Sequence, residues 1–142
     1  MAFFPSAYNT RQYEVAAIGT AATNIPTGAA VKLSSLPTSL TTSPGMYTQV
    51  TVAGSADSIL GVVSTASAAI NNANLGRVVL LNSGMFPVLM NSNAMKGAKI
   101  NVNTADGKWD VAGAGEFALG ELLEDATANN LAWAKPIQVQ MP

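Results

Sequence analysis

The chain contains no cysteine and no histidine. The first absence excludes disulfides and thiolate chemistry, and the two together exclude the usual Cys/His zinc sites. Without histidine there is no imidazole general acid or base. Charge is scarce as well. Only 11% of the 142 residues are charged, against roughly 25% in an average soluble domain. Seven basic and eight acidic side chains leave a net charge of −1, which gives no electrostatic footprint for DNA or RNA. Long apolar runs are missing too. The 49% hydrophobic content is broken into short pieces rich in alanine, and none approaches the ~20 residues of a membrane span. Met1-Ala2-Phe3-Phe4-Pro5 offers neither a basic leader nor a continuous apolar one, so the expectation is a protein made in the cytoplasm. No enzyme, metal, cofactor, nucleic acid or membrane partner is expected. A surface this poor in charge suits a protein covered by partners.

What is present is one structural pattern written twice. Gly28-Ala29-Ala30-Val31-Lys32-Leu33 opens the first copy and Gly97-Ala98-Lys99-Ile100-Asn101-Val102 the second. An aromatic-led strand follows each, Tyr47–Val52 and Trp109–Val111. Each copy then reads Ala-Gly, a short gap and Leu-Gly: Ala53-Gly54 to Leu60-Gly61, and Ala112-Gly113 to Leu119-Gly120. The opening recurs 69 residues on, from Gly28 to Gly97, and the later landmarks 59 on, from Gly54 to Gly113. The difference is a longer loop in the first copy, Ser34 to Pro44. A fixed internal period is first of all a fold signature.

Alternating apolar residues at Ala29-Val31-Leu33, Val50-Val52, Ile100-Val102 and Ile137-Val139-Met141 indicate strands. Ile59 to Val63 reads as a short strand buried on both faces. Val78–Leu81 and Met85–Leu89 read as a hairpin about Asn82-Ser83-Gly84, with Pro87 marking an edge strand. Asp106-Gly107 turns a second hairpin between Lys99–Thr104 and Lys108–Ala112. Ser64 to Ala73 has room for one or two helical turns, limited by Asn71, Asn72 and Asn74. The fold class expected is all-β: a compact β-barrel or β-sandwich, residues 15–142, built from a duplicated β-unit. An extended N-terminal arm, residues 1–14, precedes it. Phe3, Phe4, Tyr8 and Tyr13 lie in that arm, ahead of any periodic core segment, and Arg11 and Glu14 stand beside them. Exposed aromatics are costly in water. These six residues are therefore the expected partner contact, aromatics as anchors and the two charges setting register.

No motif supplies chemistry. Glu116, Glu121, Glu124 and Asp125 form the one carboxylate cluster, which reads as a solvated strand end rather than a glycosidase pair or calcium site. Asn103 to Asp110 resembles a calcium loop but lacks its repeated acidic positions and closing Glu. Gly113-Ala114-Gly115 is a G-x-G with neither a third glycine nor a following helix. Leu36-Pro37-Thr38-Ser39-Leu40 departs from a sorting signal at the final glycine. Trp109 and Trp133 are assigned to core or interface packing ahead of sugar stacking.

Taken in order, these motifs resemble a known family. G-x-x-V-x-L at Gly28–Leu33 leads to Leu60-Gly61-Val62-Val63 and Gly76-Arg77-Val78-Val79-Leu80. Next come Lys96–Val102, Leu119–Ala126 and a final Ile137-Gln138-Val139-Gln140. The order is similar to that of the head-decoration, or cement, proteins of tailed bacteriophages, over residues 15–142. The resemblance implies a structural protein on the outer face of the capsid, bridging neighbouring major capsid subunits against the pressure of packaged DNA. It implies a homo-oligomer, a trimer or else a dimer, and carries no catalytic or cofactor residue. Two other classes stay open: another virion component, such as a minor capsid or fibre-base protein, and a carbohydrate-binding or adhesion module.

Overall fold

The computed structural model describes residues 12–17, 25–33, 48–55, 57–70, 73–81 and 84–142. Its strands are β1 (Gln12–Ala17), β2 (Ala30–Leu33), β3 (Thr48–Val52), β4 (Gly61–Ile70), β5 (Ala73–Leu80), β6 (Phe86–Leu89), β7 (Lys99–Val102), β8 (Trp109–Val111), β9 (Phe117–Leu122) and β10 (Leu131–Gln140). No helix occurs among the described residues. β1 to β5 close a barrel in the order β1-β3-β2-β4-β5, and β6 to β10 form a sheet in the order β6-β10-β9-β7-β8. All neighbours are antiparallel except β1 and β3. The expected all-β fold is therefore present, with a barrel and a sheet together.

The duplication holds at the level of register. In the first copy β2 lies between β3 and β4; in the second β7 lies between β8 and β9. Val31 pairs with Val52 and with Gly61. Its counterpart Ile100 pairs with Val111 and with Gly120. The turns repeat as well. Gly28 N–H donates to Val63 O at 2.8 Å, and Gly97 N–H to Leu122 O at 2.8 Å. Gly28 and Gly97 adopt φ of 83° and 84°, a left-handed conformation that glycine reaches without steric penalty. The sequence period thus encodes one hydrogen-bonded unit used twice.

Strand alternation divides the core in two. Ala29, Val31, Val50, Val63 and Val78 point into the barrel with Ile25. Their neighbours Ala30, Val62 and Val79 point outward and pack on Phe86, Val88, Ile100, Val102, Trp109 and Leu122 of the sheet. Phe86 and Trp109 are fully buried, with ring centroids 5.7 Å apart. Two glycine turns fasten sheet to barrel. Gly28 O accepts from Leu89 N–H at 3.0 Å, and Gly107 O from Ala30 N–H at 2.8 Å.

Three sequence expectations change here. Of residues 64–73, expected to allow a helical turn, 64–70 lie in β4 and Ala73 opens β5, while Asn71 and Asn72 lie outside the described residues; β4 and β5 pair from Gly61↔Leu80 to Ile70↔Ala73. The antiparallel ladder between these adjacent strands overrides the helical leaning of a Ser/Ala-rich stretch. The 78–81/85–89 hairpin is absent. β5 pairs with β1 and β4, whereas β6 pairs with β10, so the chain crosses from barrel to sheet after β5. Gly84 still has a positive φ, 128°, and β6 with Pro87 is an edge strand as expected. The last strand starts at Leu131, six residues ahead of Ile137. Residues 1–11 of the expected arm lie outside the described residues, while Gln12 to Glu14 already pair with Val79 to Arg77.

Candidate functional site

The second sheet has one face in the core and the other in solvent, and the outer face carries large apolar residues. On β10, Leu131 and Trp133 are 51% and 49% exposed, while the intervening Ala132 and Ala134 are buried. The usual phase is inverted: alanine faces the packed side, where Phe86, Met90 and Trp109 occupy the volume. Leu131 stands across from Leu89 of β6, and Trp133 from Pro87. Phe117 of β9 and Val139 of β10 are exposed as well but stand apart from that patch, Phe117 lining a hollow with Gly54, Asp57 and Ile59 and Val139 opposite buried Ala118. Lys135 pairs across the strands with Glu121, Nζ to Oε1 3.6 Å. Backbone bonds fix the centre: Trp133 N–H donates to Glu124 Oε1 at 2.9 Å, and Leu123 N–H to Trp133 O at 2.9 Å. Aromatic and aliphatic groups held rigidly in the open mark contact surfaces.

The carboxylates do not converge. Glu116 Oε2 accepts from Gly113 N–H at 2.7 Å and from Asn103 Nδ2 at 3.3 Å. Asp125 Oδ1 accepts from Lys96 N–H at 2.8 Å. With Glu121 on Lys135 and Glu124 on the Trp133 amide, each has its own structural partner. No group of three or more potential metal ligands occurs among the described residues. In the Asn103–Asp110 stretch, Asp106 Oδ1 accepts from Thr104 Oγ1 at 2.6 Å, while Asp110 accepts from Asn91 and Ser92. The calcium-like spelling is thus a hairpin turn about Gly107, φ 77°. Lys108 Nζ donates to Asn129 Oδ1 at 3.0 Å, tying that turn to the loop before β10. Gly113-Ala114-Gly115 is also a turn, leading into a strand.

Asp57 is the first copy's counterpart of Glu116. It caps its turn in the same way, accepting from Gly54 N–H at 2.7 Å, and also takes Lys32 Nζ at 2.8 Å. The Lys32 hydrogen bond and then the Gly54 amide hold its carboxyl below the usual carboxylate range. The Thr104 hydroxyl does most to lower Asp106, with Lys108 adding to it. Both carboxylates serve as turn caps.

Of the residues assigned to partner contact, Phe3, Phe4, Tyr8 and Arg11 lie outside the described residues. Tyr13 and Glu14 lie within β1, opposite Val78 and Arg77. Trp109 is fully buried and its Nε1–H donates to Gly28 O at 3.2 Å, so it presents no platform to a sugar. Trp133 is the exposed indole. Leu131, Phe117 and Val139 were not foreseen as surface residues. The signal that marks β10 is the large–small alternation Leu131-Ala132-Trp133-Ala134, read with alanine as the buried partner.

No protein-family model matches the chain, and no curated protein sequence does. A solved structure does. The head fiber gp8.5 N base of bacteriophage phi29 superposes with a TM-score of 0.66 at 12% sequence identity, covering 94% of this chain and 98% of that one. The likeness is one of fold, over nearly the full length of both chains.

Proposed function

We propose that this chain is a structural protein of a bacteriophage virion, bound to the outer face of the head. The observation that carries the reading is the full-length likeness to the phi29 head fiber N base. The motif order that resembles head-decoration proteins supports it independently. The finer reading is a decoration role: copies bridge neighbouring major capsid subunits, work as a homo-oligomer, most simply a trimer, and do no catalysis. The outer face of the second sheet is the proposed contact, with Trp133 and Leu131 at its centre. A stable interface buries about 1,600 Å², and many copies on one shell multiply a modest affinity. The fold likeness also favours a second reading, the base of a head fibre.

Adding the purified chain to heads that lack it tests both. Binding at a copy number near that of the major capsid protein, with heads that resist heating better, supports decoration. Binding of few copies without stabilisation supports the fibre-base role. Failure to bind any head surface overturns the virion reading. Trp133→Ser should weaken binding about tenfold or more, the size expected for a central aromatic anchor. Deletion of residues 1–11 compares the arm with the sheet as the contact.

A further inference from the structure

We propose that the seam between the two copies of the repeat binds a neutral oligosaccharide, with Phe117 as its stacking platform. A hollow of about 490 Å³ lies at this seam. Gly54, Ser55 and Asp57 of the first copy line it, together with Asn101, Asn103 and Glu116 of the second. The two carboxylates hold equivalent places in the repeat. Asp57 caps its turn through Gly54 N–H at 2.7 Å, and Glu116 does so through Gly113 N–H at 2.7 Å. Phe117 opens β9 directly after the second cap and lines the hollow while 57% exposed. The hollow is one part of a longer cleft. It shares Asp57 and Ile59 with a second hollow of about 400 Å³ that extends to Lys32 and Leu60. It shares Leu119 with a third of about 430 Å³, which includes Ile137 and Gln138. A bulge shapes that third part. β10 pairs with β9 as Pro136↔Gly120 and then as Val139↔Ala118, so Ile137 and Gln138 stand opposite Leu119 alone. Each hollow has the size of a small-molecule site, about 300–1,000 Å³, and three in succession suit a ligand of several linked units.

Side-chain chemistry identifies the occupant. Asn101 spends its Oδ1 on Val102 N–H at 2.7 Å, and its Nδ2 makes no hydrogen bond to a described residue. The bonds to Asp57 all end on Oδ2, and those to Glu116 on Oε2. Oδ1 of Asp57 and Oε1 of Glu116 are left to accept from a ligand. One amide donor with two carboxylate acceptors fits sugar hydroxyls, each of which both donates and accepts. The exposed ring of Phe117 offers its face to the C–H side of a pyranose. The same carboxylates repel an anionic polymer, and the cation of the cleft, Lys32, is already held by Asp57 at 2.8 Å. An extended peptide is held chiefly by adding to a free strand edge. β7 and β9 are each paired on both sides, so the cleft offers no such edge.

The isolated, full-length chain tests this without any phage head, so the result stands apart from the virion reading. Isotope-labelled protein is titrated with maltohexaose, cellohexaose and chitohexaose, and binding is followed by amide NMR shifts and calorimetry. At least one of these neutral probes should bind, moving the signals of Gly54, Asn101 and Phe117 and leaving that of Met95 in place. Phe117→Ala, at an exposed position, should weaken the binding about tenfold. Asn101→Asp keeps an acceptor for Val102 N–H but loses the free donor, and should weaken it about three- to tenfold. Met95→Ala, at a position 77% exposed and outside the cleft, should change nothing. Hexagalacturonate, the anionic control, should bind more weakly than the neutral probe. Failure of all three neutral probes to bind overturns the proposal. Tighter binding of hexagalacturonate overturns it equally. So does binding that Trp133→Ala abolishes and Phe117→Ala spares, which would move the sugar to the outer face of β10.

Discussion

Gly28→Ala and Gly97→Ala make a matched pair, because the two glycines occupy equivalent turns of the repeat with φ of 83° and 84°. A methyl group at either site carries the left-handed penalty of about 1–2 kcal/mol. Part of this is offset by the stiffer unfolded chain, about 0.4–1 kcal/mol. At Gly97 nothing lies within 4 Å of an added Cβ, so the cost should stop near 1 kcal/mol. At Gly28 the same Cβ would lie 2.5 Å from Leu89 N, 2.6 Å from Leu131 Cδ2 and 2.9 Å from Val88 C. Two of these atoms are backbone and cannot rotate away. Relief requires moving Gly28 from β6, which breaks the bonds its carbonyl accepts from Leu89 N–H and Trp109 Nε1–H. Trp109 is fully buried, and an orphaned buried donor costs about 1–3 kcal/mol. Gly28→Ala should therefore cost about 3–5 kcal/mol. Urea unfolding with a common slope measures both variants. A difference of at least about 2 kcal/mol is expected on these terms. Equal losses, within about 0.5 kcal/mol, would refute the view that Gly28 is the fastening between barrel and sheet.

A second matched pair is Gly61→Ala and Gly120→Ala: the Gly61 methyl would run into the Val79 carbonyl and should prevent soluble expression. Gly120→Ala meets the Phe86 ring edge at 3.1 Å and should cost about 1–3 kcal/mol; equal behaviour in an expression and melting comparison would contradict the geometry. Trp109→Phe removes the indole donor and also the volume of one fused ring in the core and should cost about 2–3 kcal/mol, whereas Trp109→Ala should cost about 3–5 kcal/mol, both read by urea unfolding. Asp57 and Asp106 have carboxyls held below their ordinary range. Their contribution is complete above the unfolded carboxylate value of about 4 and is lost as pH falls below it. The melting temperature should therefore drop between about pH 5 and 3 more steeply in the native chain than in the Asp57→Asn, Asp106→Asn double variant, and parallel slopes would remove these caps from the account.

The repeated unit was legible because its signals are local. Gly28 and Gly97 mark left-handed turns, Leu60-Gly61 and Leu119-Gly120 mark the crossing of a strand over a close neighbour, and the spacing between them sets register. Asp106-Gly107 was legible for the same reason. The connection at Asn82-Ser83-Gly84 was not, because its turn chemistry is the same whether the chain doubles back or passes to another sheet. That choice is made by partners far away in sequence, β1 for β5 and β10 for β6. Residues 64–73 misled because alanine and serine carry weak preferences that the β4–β5 ladder overrides. The outer face of β10 stayed hidden because its buried positions are alanines and its middle holds Pro136. Such a strand resembles a loop until the facing rings of Phe86 and Trp109 explain where its small side chains go. The absence of an active-site motif was read from composition, while contact surfaces leave no comparable signature in a single sequence.

The two copies of the unit have the same register but different surroundings, and this difference bears on function. In the first copy β3 and β4 are flanked by β1 and β5, which meet and close the barrel. Its inner face is filled by Val31, Val50, Val63 and Val78, and its outer face meets the sheet. In the second copy β8 ends the sheet while β9 is extended by β10 and β6. That sheet does not close, so its outer face stays open. A closed barrel has no free strand edges and stabilises the domain on its own. An open sheet backed by that barrel can present large side chains such as Trp133 and Leu131 at fixed positions. Duplication thus yields one copy that builds a closed support and one that forms part of an open sheet, whose added strand β10 carries the exposed side chains. If the open sheet makes the head contact, substitutions on the outer face of β10 should reduce binding with little effect on melting, while substitutions inside the barrel should do the reverse.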